Sequence, residues 1–345
     1  MIDPQVEQYW LGRRADGSYK DGGVDLYLGG AEHAVLHLLY ARFWHKVLYD
    51  LGYVTAPEPF ARLFNQGMIQ SYAYQDSRGA YIPYDEIEFR GEDAYRKKTG
   101  EKLTAAVEKM SKSKGNVVNP DAIIQEYGAD TLRLYEMYMG PLEASKPWNT
   151  RDIIGVHRLL QRIWRLVVEP VDAQNPDAGW RLNPRIGDED QPQLERLLHK
   201  TIRKVQEDIE RFAFNTAIAQ MFVWTQQAQK SDRIGRSQIE RFLRVLAPFA
   251  PHIAEELWHR LGHETTITLE PWPEYDPALT VDETVEIAVQ INGKVRGRIT
   301  IPADASEDQI IEAARADERI ATALSGRQLR RTIVVPRRLV NLIVG

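Results

Sequence analysis

Residues 24–52 read VDLYLGGAEHAVLHLLYARFWHKVLYDLG. Val24 to Leu28 is a short strand-like run that stops at Gly29-Gly30. From Ala31 to Leu51 the apolar residues fall at 35, 38, 39, 43, 47 and 48. That is the 3.6-residue rhythm of a helix, and Gly52 ends it. Strand, glycine turn and helix are the parts of a βα unit, so an α/β sheet is expected. A Gly-Gly pair at a strand end lets a nucleotide lie against backbone. Glu32 can accept from ribose hydroxyls, and His33 and His37, four apart, share one helical face.

Outward from this unit the texture changes. Residues 71–108 are polar and tyrosine-rich (SYAYQDSRGAYIPYDEIEF, then GEDAYRKKTGEK), the composition of a small inserted module. Three amphipathic segments follow at 151–168, 194–230 and 237–261, the natural makings of a helical bundle. In the last, Phe249, Ile253, Leu257 and Trp258 form a core stripe, and two prolines mark a helix start or kink. A Pro-bearing linker, EPWPEYDPALTVD at 270–282, precedes a switch of period. Val285–Ile291 and Val295–Ile301 alternate around Asn292-Gly293, a strong hairpin signal. Ser306 caps a helix to about Ala316, and strands at 333–335 and 339–344 complete a small α+β domain. The expected divisions are 1–70, 71–108, 109–150, 151–275 and 280–345.

Composition excludes several classes. The 345 residues are ample for two or three domains, with 43% hydrophobic and 27% charged residues, which is ordinary for a folded soluble chain. There is no cysteine, so no disulfide, thiolate zinc site or cysteine nucleophile exists. His33 and His37 could be half of a zinc site, but no third ligand is evident and no metal ligand is assigned. No membrane span or signal peptide is visible, so a cytoplasmic location is expected. Lys+Arg 44 against Asp+Glu 49 gives a net charge of −5, which argues against a general polycation. Residues 285–345 nevertheless hold ten Lys/Arg against seven Asp/Glu. Lys294, Arg296 and Arg298 follow the hairpin turn, and Arg327, Arg330, Arg331, Arg337 and Arg338 lie near the end. Such a surface suits RNA-backbone contact.

The sharpest motif is Lys109-Met110-Ser111-Lys112-Ser113-Lys114-Gly115-Asn116. Three lysines spaced by small serines make a mobile polyanion-binding loop, because ammonium groups on flexible stems meet phosphate as point charges. KMSKS followed by Gly-Asn, and then by NPDAIIQEYGADTLRLYEMYMGPLEASKPWN at 119–149, resembles the second signature of the class I aminoacyl-tRNA synthetases. The segment Val24–Arg42 and Phe64-Asn65-Gln66-Gly67-Met68-Ile69 resemble the leucyl members of that family.

The resemblance implies a partial Rossmann-type nucleotide-binding sheet, then a helical anticodon-binding-type bundle, then a small α+β tRNA-binding domain. It implies ATP-dependent activation of leucine and transfer to tRNA(Leu), with ATP and Mg²⁺ required. By resemblance Lys109, Met110, Ser111, Lys112 and Ser113 form the catalytic loop, with Lys112 foremost. Gly29, Gly30, Glu32, His33, Gln66, Gly67, Met68 and Lys112 would line ATP, and His37 the leucine side chain. The family's H-x-G-H signature and its editing insertion are absent, so the chain is expected to need an N-terminal half, either in one longer chain or as the other subunit of a split enzyme. A cut sheet is expected to leave an exposed edge near 20–70 and a tendency to self-associate. A non-catalytic tRNA-binding module is the alternative.

Overall fold

The computed structural model describes residues 3–12, 22–175, 178–281, 284–303, 305–336 and 338–345. The chain divides into two compact units, Met1–Pro273 and Glu274–Gly345.

The first unit opens with α1 (Pro4–Glu7), whose first N–H groups are capped by the Asp3 carboxylate. The Glu7 carboxylate is buried and accepts from both the Thr55 backbone and hydroxyl, at 2.8 and 2.9 Å. Strands β1 (Gly22–Val24) and β2 (Tyr27–Gly30) lead to α2 (His37–Asp50), β3 (Glu58–Phe60) and β4 (Leu63–Gln66). β1 pairs in parallel with β3, and β2 in parallel with β4. The parallel pairing is that of an α/β unit. The expected single strand at 24–28 is instead two strands, broken at Asp25-Leu26, each with its own partner. The expected helix from Ala31 starts at His37, after one 3₁₀ turn over Ala31–His33. Neither Gly30 nor Leu36 supplies a side-chain cap, so nothing fixes a helix start at Ala31.

Next comes a small antiparallel module: β5 (Ile69–Gln75), β6 (Tyr81–Ile82), β7 (Ile87–Arg90), β8 (Asp93–Arg96) and β9 (Thr104–Lys109). Its core is Ile82, Ile87, Ala94 and Leu103. β9 lies antiparallel to β5, so Lys109 pairs with Gln70. Helices α3 (Pro120–Tyr127) and α4 (Ala129–Tyr138) follow, and then β10 (Lys146–Pro147) returns parallel to the start of β5.

The helical region begins with α5 (Ile153–Val167), which leads into the hairpin β11 (Val168–Pro170) and β12 (Trp180–Leu182). The short strands β13 (Ile186–Gly187) and β14 (Ile234–Gly235) pair in parallel, bracketing α6 (Pro192–Glu210) and α7 (Phe214–Lys230). α8 (Arg236–Leu246) and α9 (Pro251–Arg260) complete it. Leu198, Ile202, Ile218, Trp224, Leu243 and Leu257 are wholly buried there, and Trp224 stacks on Phe242 at 3.9 Å. The segment expected as one run at 194–230 is two helices. Phe212 stands at φ +59°, a left-handed backbone that breaks the helix. Its ring contacts Phe64 at 4.8 Å and lies under the Arg62 guanidinium, so packing against β4 holds the break. The stripe at 249–258 is buried at Phe249, Leu257 and Trp258, whereas Ile253 stays half-buried.

The second unit is a four-stranded sheet: β15 (Thr284–Ile291), β16 (Lys294–Pro302), β17 (Leu329–Val335) and β18 (Leu339–Val344), in the order β16-β15-β18-β17. The hairpin turns at Asn292 and Gly293, φ +50° and +78°. α10 (Glu307–Ala316) starts in a Ser306–Gln309 capping box, and a second helix that the sequence reading omits, α11 (Glu318–Leu324), follows it. Ile310, Ala314 and Ile320 of these helices join Ile287, Val289, Val340 and Leu342 in one core. Among the described residues no helix is long and apolar enough to cross a membrane.

Candidate functional site

The lysine loop leaves β9 and makes one 3₁₀ turn over Lys112–Lys114. It closes at Gly115, φ +63°, where a β-carbon would come within 2.7 Å of Pro83 Cα. Only glycine fits there. Asn116 is fully buried and staples the loop's two ends. Its Oδ1 accepts from the Ser111 N–H at 2.8 Å, and its Nδ2 donates to the Ser71 and Lys109 carbonyls at 3.4 Å. The Ser111 and Ser113 hydroxyls are 2.9 Å apart.

The three lysines differ. Lys114 is bound to the Glu108 carboxylate, which also accepts from the Tyr81 hydroxyl at 3.0 Å. The ammonium holds the Glu108 carboxyl below its ordinary range, and Glu108 in turn raises Lys114. Lys109 and Lys112 are exposed and form no ion pair among the described residues. Two ammonium groups are therefore left for a polyanion, and the third anchors the loop.

The glycine-bearing residues converge as well. Gly29 pairs with Asn65 and Gly30 with Gln66, at the carboxyl ends of β2 and β4. In open α/β sheets ligands bind at that end of parallel strands. Gly67 follows at once. A β-carbon there would meet the Ala144 carbonyl carbon at 2.2 Å, so the chain can pass only as glycine. Met68 N–H donates to Ser145 Oγ at 3.1 Å. From Gln66 to Gln70, the partner of Lys109, is no more than roughly 15 Å of chain. The lysine loop and the glycine strand ends thus share one neighbourhood.

Glu32 and His33 sit on the exposed 3₁₀ turn after Gly30, with His33 Nε2 3.8 Å from the Glu32 carboxylate. Because His37 opens α2 instead of lying inside a helix with His33, the two rings meet edge-on at 6.0 Å. His37 Nε2 is hydrogen-bonded to the Tyr27 hydroxyl at 2.8 Å, and Tyr27 stacks on Phe60 at 4.1 Å. Tyr27 therefore sets the orientation of the His37 ring.

In the second unit a bulge breaks the alternation of β16. Lys294 pairs with Ile291 and Arg298 with Ala288, so these two basic side chains fall on opposite faces of the sheet. Arg296 sits within the bulge. Arg298 is paired with Glu286 at 2.8 Å, and the Arg330 guanidinium lies against Gly345. Arg327, Arg331 and Arg338 are exposed without an ion pair among the described residues, and Arg337 lies outside them.

Several residues of this neighbourhood escape sequence reasoning. Glu108 and Tyr81 are separated from Lys114 by 6 and 33 positions, and nothing in composition ties them together. Asn65 Oδ1 is buried without a hydrogen-bond partner among the described residues, beside Gly29. Asn116 was legible only as part of the motif.

Two family models match parts of the chain. The family model for tRNA synthetases class I (I, L, M and V) matches residues 86–146, and that for the anticodon-binding domain of tRNA ligase matches residues 192–312. The chain is 52% identical over 344 residues to a leucine–tRNA ligase of Mycolicibacterium paratuberculosis, covering 98% of this chain and 35% of that one. It is 50% identical over 343 residues to the leucine–tRNA ligase of Corynebacterium efficiens, with the same coverage. A solved ternary LeuRS–tRNA–LeuAMS complex from Agrobacterium radiobacter superposes with a TM-score of 0.63 at 34% identity, covering 93% of this chain and 38% of that one. The chain spans about a third of the length of the relatives it matches.

Proposed function

We propose that this chain, homologous over nearly its whole length to leucine–tRNA ligases, forms the lysine-loop half of a leucine-activating site together with tRNA-binding surfaces. The observation that carries the reading is the division of labour in the loop. Lys114 is tied down by Glu108, while Lys109 and Lys112 stand free beside the glycine strand ends.

In the proposed reaction the leucine carboxylate attacks the α-phosphorus of ATP and pyrophosphate leaves. Negative charge grows on the bridging and leaving oxygens, and the Lys109 and Lys112 ammonium groups favour that state. Met110, Ser111 and Ser113 shape the loop that presents them. ATP lies along Gly29, Gly30, Gln66, Gly67 and Met68, with Glu32 accepting from the ribose and His33 beside it. His37, held by Tyr27, borders the leucine side chain. Mg²⁺ neutralises phosphate charge when bound. It usually needs only one or two carboxylates besides the phosphates, so it is proposed to arrive with ATP. The leucyl group then passes to tRNA(Leu). In this reading residues 1–70 are part of a Rossmann-type catalytic domain, 71–108 an insertion, 109–150 the lysine-loop region, 151–275 the anticodon-binding-type bundle and 280–345 a tRNA-binding domain, all in the cytoplasm.

The open apolar face of α2 supports a requirement for further polypeptide. Leu39, Tyr40 and Phe43 of α2 are each 62% exposed, and Val35 and Leu36, just before it, are 80% and 79% exposed. The rest of a ligase, including its H-x-G-H segment and editing domain, is proposed to cover this face, in one chain or as a separate subunit. The test supplies a polypeptide matching the complementary portion of a related ligase and measures ATP–pyrophosphate exchange. Leucine-dependent exchange is expected from the mixture and from neither part alone. Exchange driven by isoleucine or valine but not leucine contradicts the specificity, and no exchange contradicts the reading.

A further inference from the structure

Helix α6 ends in a pair of hydrogen bonds that ordinarily closes on glycine. The Ala213 N–H donates to the Asp208 carbonyl at 2.8 Å, and the Phe212 N–H to the Ile209 carbonyl at 3.1 Å. These are the two bonds of a Schellman motif, in which the residue after the helix cap stands in the left-handed region. The cap here is Arg211, and the residue after it is Phe212, at φ +59°. A glycine would make the same two bonds with no β-carbon to strain the backbone. Ending the helix therefore gives no reason for an aromatic side chain at this position. The reason lies in what the ring touches.

The centre of the Phe212 ring lies 4.8 Å from that of Phe64 in β4, 4.7 Å from the Arg62 guanidinium and 5.8 Å from the Phe214 ring. Arg62, just before β4, also donates to the Glu210 carbonyl at 3.2 Å, one of those that a helix leaves over at its end. Strand and helix end thus hold each other twice. Behind Phe212, the Phe214 ring meets the buried Phe249 edge-on at 6.0 Å. Arg133 of α4 donates to the neighbouring Pro248 carbonyl at 2.9 Å. Close-packed side chains give way little, so the Phe212 ring cannot retreat into the bundle. In the other direction, side chains alternate along a strand, and Phe64 and Gln66 share a face roughly 7 Å apart. Gln66 ends β4 and pairs with Gly30 of β2, at the strand ends proposed above for ATP.

We infer that Phe212 is a positioning residue for nucleotide binding: through Phe64 it holds the end of β4, and with it Gln66, in place for ATP. The inference deepens the proposed function and rests on its assignment of ATP to Gln66 and Gly67. It gives the helical region a part in leucine activation that works by packing alone, with no contact to the nucleotide.

The test is leucine-dependent ATP–pyrophosphate exchange in the enzyme completed with its complementary polypeptide, with kcat and the KM values for ATP and leucine measured separately. Phe212→Gly removes the ring and leaves the left-handed turn unstrained, so the bundle is expected to stay folded, which the urea midpoint checks. Its KM for ATP should rise about fivefold, with kcat and the KM for leucine changed by less than about twofold. Phe212→Ala loses the ring but keeps the strained backbone; it should show the same rise in KM together with a lower urea midpoint. Phe64→Leu should also raise the KM for ATP, and adding it to Phe212→Gly should bring no further rise, because both act through one contact. Arg62→Ala, at an exposed site, should move the KM for ATP in the same direction, and it carries the test if the glycine variant does not fold. An unchanged KM for ATP in the folded variants overturns the inference, as does an equal rise in both KM values or full additivity with Phe64→Leu. In each of those cases exchange by the unmodified enzyme leaves the proposed function standing. If the unmodified enzyme shows no leucine-dependent exchange, both fall.

Discussion

Two stretches of the first unit have similar apolar content and opposite fates. α2 runs for 14 residues and buries none of them, leaving Leu39, Tyr40, Phe43 and Trp44 in water, where the Tyr40 and Phe43 rings each meet Trp44 edge-on at about 6 Å. α5, of 15 residues, buries seven, from Ile153 to Val167, against other helices. The difference lies in what surrounds them. The helical region carries its own partners in sequence, whereas α2 among the described residues packs mainly on β3, with polar ties such as Arg42 and Lys46 on Glu58 and His45 on the Ala56 carbonyl. Contiguous exposed apolar surface of this kind marks an interaction site. The helical region buries its own apolar stripe, and the proposed function takes the exposed face of α2 as half of an interface.

The largest effect that can break this contrast is a truncation on each side. Trp224→Ala, which empties a fully buried site, should cost about 3–5 kcal/mol by urea denaturation, whereas Phe43→Ala on α2 should stay within about 0.5 kcal/mol. Equal costs would mean that α2 is covered. Gly67→Ala tests whether the α/β part is loose throughout. Its added carbon meets the Ala144 backbone, and about 1–3 kcal/mol of destabilisation is expected.

A smaller effect separates the regions by pH. Burial pushes Glu195 up, but Arg241, Gln238 and His199 outweigh it and hold its carboxyl at about 2, below the usual 4.5. A depressed carboxylate contributes stability above its unfolded value and loses it as pH falls through the folded one. Glu195→Gln should therefore weaken the helical region at pH 7 and flatten its loss of stability between pH 4.5 and 2. An unchanged acid profile counts against the ion pair. The smallest effect is on association. Leu39→Ser with Phe43→Ser should lower self-association in sedimentation without shifting the urea midpoint.

The sequence disclosed features whose cause is local. The Asn292-Gly293 turn and the Ser306 cap need only neighbouring residues, and the lysine loop is one contiguous run. The features it hid are made by distant contacts. The break at Phe212 has no glycine or proline to announce it, because Phe64 and Arg62 hold it from 148 and 150 positions away. The bulge that splits Lys294 from Arg298 is invisible to counting by twos. Within the candidate site, the residues of the strand ends and of the loop could be named, but not that Lys114 is spent on Glu108.

That last distinction gives the most direct test. In the enzyme completed with its complementary polypeptide, Lys112→Ala should reduce leucine-dependent ATP–pyrophosphate exchange about a hundredfold or more, the scale of one lost transition-state charge contact. An exchange rate unchanged by Lys112→Ala contradicts the account.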